Sequence, residues 1–131
     1  MIVVTTNDLP GYRIQAVLGE VMGITVRSTN IGSGITASFR AIGGGEIPEY
    51  TKIVLQSRQD VMHRMVTDAE QRGANAIIMM RFDTSAIGNF SEVCAYGTAV
   101  VVEPIPEGQP GATGQSAQFA ARGQNPSQPY G

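Results

Sequence analysis

From Tyr12 to Val26 the apolar residues fall largely on even positions, at Tyr12, Ile14, Ala16, Leu18, Met22, Ile24 and Val26, against odd positions that include Arg13, Gln15 and Thr25. A period of two belongs to a strand with one covered face. A strand of about 15 residues is longer than usual, so Gly19 and Gly23 are expected to bend or bulge it. The β-branched run from Ile2 to Thr5 predicts a short edge strand before it. Ile35, Phe39 and Ile42 then recur at helical spacing, predicting a short helix over 35–42 that Gly43-Gly44-Gly45 stops. Tyr50, Val54, Ser57, Val61, Met65 and Ala69 trace a longer stripe, and Pro48 and Gly73 suit its first turn and its C-terminal cap. A helix over 48–72 follows.

Beyond it, Ala76-Ile77-Ile78-Met79-Met80-Arg81-Phe82 starts apolar on both faces, which predicts a strand covered twice and so placed centrally. Thr84 to Ser91 is expected to be a hairpin connection, with a last strand from Val93 to Val102 ended by Pro104. Strand, strand, short helix, long helix, strand, strand is an α+β order. The expected architecture is a four-stranded antiparallel sheet with one short and one long helix packed on it.

Composition divides the chain once. From Pro104 to Gly131 there are five prolines, five glycines and five glutamines, with Glu107 and Arg122 as the charged residues. Such a segment buries too little apolar surface to offset chain entropy, so 104–131 reads as a disordered tail behind a domain at 1–103. Within it, Ala117 to Arg122 could form one turn of helix on a protein partner. The remainder, 42% hydrophobic and 15% charged over the whole chain, suits a single soluble domain.

A net charge of -2 with scattered basic residues speaks against nucleic acid and anionic membranes as partners. No run reaches the length of a membrane span, and a lone cysteine rules out an intrachain disulfide and suits a reducing cytoplasm. Cytoplasmic localisation is expected.

Catalytic signatures are missing: one His63 on a polar helix face, far in sequence from Cys94, supplies no nucleophile with a base beside it. The methionines read as core filling, with Met79 and Met80 pointing to opposite faces of one strand. Gly32-Ser33-Gly34 ahead of a helix could offer backbone N–H groups to a small anion, although an ordinary turn is the simpler account. Arg13, Arg27, Asn30, Arg81 and Asp83 flank apolar strand positions and are the expected ligand or assembly contacts. Arg81 and Asp83, two apart on one strand, share a face.

The ordered series Thr5-Thr6, Gly11-Tyr12-Arg13-Ile14, Asn30-Ile31-Gly32, Phe39-Arg40-Ala41-Ile42-Gly43-Gly44, Tyr50, Arg72-Gly73-Ala74-Asn75-Ala76 and Tyr96-Gly97-Thr98-Ala99-Val100 resembles the YbjQ-like putative heavy-metal-binding family over 1–103. That resemblance implies a compact α+β subunit assembled as a ring, usually a homopentamer, with a heavy-metal ion or small molecule as ligand. A single chain has too few soft ligands for a metal site. Copies of Cys94 converging near a symmetry axis would change that, whereas a half-buried structural thiol is the plainer reading. The function expected from the sequence is therefore a non-catalytic homo-oligomeric binding protein, with a structural oligomer that recruits partners through its tails as the alternative.

Overall fold

The computed structural model describes residues 1–28, 44–45 and 47–123. Its strands are β1 (Ile2–Val3), β2 (Tyr12–Ser28), β3 (Ala76–Ile87) and β4 (Phe90–Pro104), and its helices are α1 (Pro48–Gln71) and α2 (Gly114–Arg122). The four strands form one sheet in the order β1-β3-β4-β2. It is α+β as expected, but the sheet is mixed. β1 runs parallel to β3 while β3 and β2 run antiparallel to β4, because the chain crosses through α1 between β2 and β3 and returns beside its own N-terminus. The short helix expected over 35–42 lies outside the described residues.

α1 covers one face of the sheet. Its stripe Ser57, Val61, Met65 and Ala69 is buried against Val21, Ile77, Met80, Val93, Ala95 and Ala99. This contact requires Gly23: a Cβ there would lie 2.1 Å from the Val61 carbonyl oxygen and 2.8 Å from the Met65 nitrogen. Gly23 therefore lets the helix touch the strand, rather than bulging it, and the bulges of β2 fall between Ile14 and Ala16 and between Val17 and Gly19. At the end of α1, Gly73 N–H donates to the Glu70 carbonyl and Ala74 N–H to that of Ala69, the paired bonds of a Schellman cap.

The hairpin is longer than the polar pattern implies. Pairing continues to Ile87 opposite Phe90, so Gly88 and Asn89 alone make the turn, with Gly88 at φ 58°. Thr84 to Ser91, expected as a connection, mostly extends the two strands. The polarity of this stretch reflects its position beyond the end of the core.

The segment after Pro104 also departs from expectation. Ile105 is buried, its N–H donates to the Gly11 carbonyl, and α2 packs beside it. Thr113 and Ser116 form a capping box at the start of α2, and the fully buried Ser116 hydroxyl donates to the Ile105 carbonyl at 2.9 Å. The expected disordered tail is thus folded onto the domain as far as Gly123. Tertiary contact supplies the stability that so short a helix lacks alone.

Candidate functional site

The sheet face turned away from α1 changes character along its length. At one end Leu9, Ala76, Ile78, Val100 and Val102 form a second buried cluster, with Ile2, Val4 and Tyr12 packed against it. Here the chain between β1 and β2 crosses the sheet and covers it. Asn75 ties this end together: its side chain donates to the Val102 carbonyl at 2.9 Å and accepts from the Val102 N–H at 2.8 Å, giving β4 a partner beyond the start of β3.

At the other end nothing described covers the face. Register places side chains in rows across three strands: Arg81, Tyr96 and Met22; then Asp83, Cys94 and Ile24; then Ser85, Glu92 and Val26. Met22, Ile24, Val26 and Tyr96 are all exposed, Val26 at 58%. Arg81 and Asp83 reach this face because of an irregularity in β3. The register shifts by one residue between Ile78 and Arg81, with Met79 at φ 56°, a left-handed conformation that costs a non-glycine residue on the order of 1 kcal/mol. In an unbroken strand the alternation would turn Arg81 and Asp83 toward the helix. The bulge instead exposes Met79, buries Met80 at 4% and re-aims the polar pair. Met79 N–H donates to the Thr6 carbonyl at 2.9 Å, and the Arg81 guanidinium donates to the Thr5 carbonyl at 2.8 Å, so the N-terminal segment holds this geometry.

The bare end therefore unites three of the sequence candidates, Arg81, Asp83 and Cys94. Others are dispersed. Arg27 lies on the opposite face, paired with Asp60 of α1, and Arg13 donates to Gln109 at 2.8 Å. Asn30 and the Gly32-Ser33-Gly34 turn lie outside the described residues. Strand alternation already puts Glu92 on the face of Cys94, whereas Glu20 on β2 is a neighbour that only the register reveals. Burial, and then the negative charges of Glu92, Asp83 and Glu20, push the Cys94 thiol above its ordinary value. At neutral pH it is a protonated, weakly nucleophilic thiol.

Among the described residues no three His, Cys, Asp or Glu side chains stand close enough together to hold a metal ion. Cys94 and its cross-strand neighbour Asp83 are a thiol and a carboxylate, half the donors of a four-coordinate structural site. The described residues of one chain by themselves do not fit a heavy metal. No described helix is long and apolar enough to cross a membrane.

Comparison with known proteins places this fold. A UPF0145 protein of Mycobacteroides abscessus is 53% identical over 106 residues, covering 80% of this chain and 99% of the relative. One from Streptomyces coelicolor is 55% identical over 103 residues, covering 78% and 97%. A UPF0145 protein of Thermoplasma volcanium is 50% identical over 106 residues, covering 80% and 87%. A crystal structure of a protein of unknown function of the DUF74 family from Pediococcus pentosaceus matches with a TM-score of 0.56 at 15% identity, over 79% of this chain and 98% of that one, which supports the fold alone. The YbjQ_1 family, described as "putative heavy-metal-binding", matches residues 1–103, the stretch that holds the whole sheet but its last residue, and the chain belongs to that family.

Proposed function

We propose that this chain is a non-catalytic subunit of a homo-oligomer that binds a heavy-metal ion or small ligand where copies meet at the bare end of the sheet. The observation that carries the reading is the row arrangement itself. Met22, Ile24, Val26 and Tyr96 present a contiguous apolar surface to solvent, a liability in a lone chain, and Arg81, Asp83 and Cys94 sit within it. Covering that surface with another copy would bring a second set of the same groups to the first. It would supply the donors that one chain lacks, and a cation there would offset the carboxylate charges that, after burial, raise the Cys94 thiol above its ordinary value. The family description supports a metal as ligand. Function as a cytoplasmic adaptor draws less support, since 104–123, read as part of the recruiting tail, packs on the domain.

Native mass spectrometry of chelator-free protein tests this, before and after addition of Zn²⁺, Cu⁺ or an oxyanion. The expected result is a homo-oligomer that retains a stoichiometric bound mass, lost in Cys94→Ser. A monomer at micromolar concentration would refute the assembly. An oligomer with no bound mass and no ligand-induced thermal shift would refute the binding role.

A further inference from the structure

The hairpin of β3 and β4 is built in two registers that disagree. From Arg81 to Ile87 every pair is in step with the two-residue turn, whereas Ala76, Ile77 and Ile78 pair with β4 one residue out of step with it. Each register has its own cause. At the closed end packing sets it: Ala76 and Ile77 are fully buried, Ile78 is nearly so, and β1 pairs beside them. At the tip burial sets nothing, because every residue from Asp83 to Phe90 is exposed, and the turn decides. Gly88 leads that turn at φ 58°, the left-handed start that such two-residue turns require.

The mismatch is absorbed at one place. Met79 and Met80 stand where β4 has Gly97 alone, and two features admit the extra residue. Met79 takes a positive φ, and Gly97 leaves space beside it: a Cβ there would lie 2.6 Å from Ile77 Cγ2 and 3.0 Å from the Ile78 carbonyl oxygen. The N-terminal segment holds the bulge from outside, with Met79 N–H donating to the Thr6 carbonyl and Met80 N–H to that of Val4.

An unbulged pairing has a turn available to it. With the closed-end register carried through, Ala86 would oppose Phe90 and the loop would grow to three residues, Ile87 to Asn89, a common hairpin length. Every residue of β3 beyond Met79 would then change face. Arg81 and Asp83 would turn toward α1, and Phe82 would stand opposite Cys94.

We infer that Met79 and Gly97 are positioning residues of the ligand site: they admit the bulge that keeps Arg81 and Asp83 on the face of Cys94, acting through the backbone of β3. The inference rests on the site proposed above and adds what sets its geometry.

Cys94 is the one cysteine of the chain, so a single added thiol reads the register. On treatment with diamide, Asp83→Cys should close an intrachain disulfide with Cys94 and Phe82→Cys should not. Met79→Gly, at ease with positive φ, should keep that pattern. Met79→Val, whose branched side chain resists positive φ, should slow closure at Asp83→Cys about tenfold and permit it at Phe82→Cys; Gly97→Ala should do the same from β4. Circular dichroism verifies each fold, and Met79→Ala replaces Met79→Val if that variant unfolds. In native mass spectrometry, Zn²⁺ retained by the unaltered chain should be retained by Met79→Gly and lost in Met79→Val. Closure at Asp83→Cys unchanged by both Met79→Val and Gly97→Ala would overturn the inference, as would Zn²⁺ retained by a folded chain whose register has changed. A register that responds as expected in a chain that retains no ligand would refute the proposed site and leave the control of facing standing.

Discussion

The two ends of the outer sheet face are built from the same strands, yet one is a dry core and the other is open. At the closed end Val100 and Val102 are at most 1% exposed beneath Leu9 and the N-terminal crossing, whereas at the open end Ile24 and Val26 are 41% and 58% exposed. Alternation puts apolar residues on this face at both ends, and the two bulges of β2 fall opposite closed-end residues of β4. The difference lies in a covering segment about ten residues long, which reaches one end and stops. An apolar strand residue is thus a structural element where the chain covers it and a contact surface where it does not.

Truncation should separate the ends most sharply. Ile78→Ala at the closed end removes a 9% exposed side chain and is expected to cost about 2–4 kcal/mol of stability in urea denaturation. Val26→Ala at the open end should change the stability of a dissociated chain by less than about 0.5 kcal/mol. Equal costs would dissolve the distinction.

Next is Asn75→Ala, which strands the Val102 N–H and carbonyl near the closed end. A loss of about 1–3 kcal/mol is expected, with hydrogen exchange quickening at Val102 and not at Cys94.

A smaller effect belongs to the helix beside the closed end. Thr113→Ala removes the N-cap acceptor of α2 and should cost about 1 kcal/mol, seen as faster proteolysis between 104 and 123 while the sheet stays intact. Rapid cleavage of that segment in the unaltered chain would contradict its packing.

The finest contrast is chemical. Cys94 at the open end carries a thiol raised by burial and then by Glu92, Asp83 and Glu20, so its alkylation should accelerate only above the usual thiol range. Glu92→Gln or Asp83→Asn should shift that profile to lower pH. With the folded pKa above the unfolded one, the protonated thiol's contribution to stability is present below the unfolded value and is lost as pH rises through the folded one.

Much of this was legible in the sequence. The stripe and cap of α1 and the central apolar run of β3 rest on local periodicity, which the helix and sheet preserve; on β2 the even-position apolar face expected to be covered is instead exposed at Met22, Ile24 and Val26, while Val21, Gly23 and Thr25 are the buried residues. The sharing of a face by Arg81 and Asp83 also followed from spacing alone. The parallel pairing of β1 with β3 did not, because a two-residue strand carries no mark of its partner. The long hairpin was hidden by polar residues that continue pairing past the core. The packing of α2 was hidden because its Ser116 and Thr113 bonds replace the apolar burial that composition measures. Nor could spacing show which face Arg81 and Asp83 would take, since that depends on the bulge at Met79.

The most direct test of the central claim, that another copy covers the open end, is sedimentation equilibrium of the full chain at low micromolar concentration beside its Val26→Lys variant. The account predicts a mass several times the 13.9 kDa of one chain, falling to the monomer in the variant with the fold retained. A single-chain mass for the unaltered protein, or a variant that assembles unchanged, would contradict it.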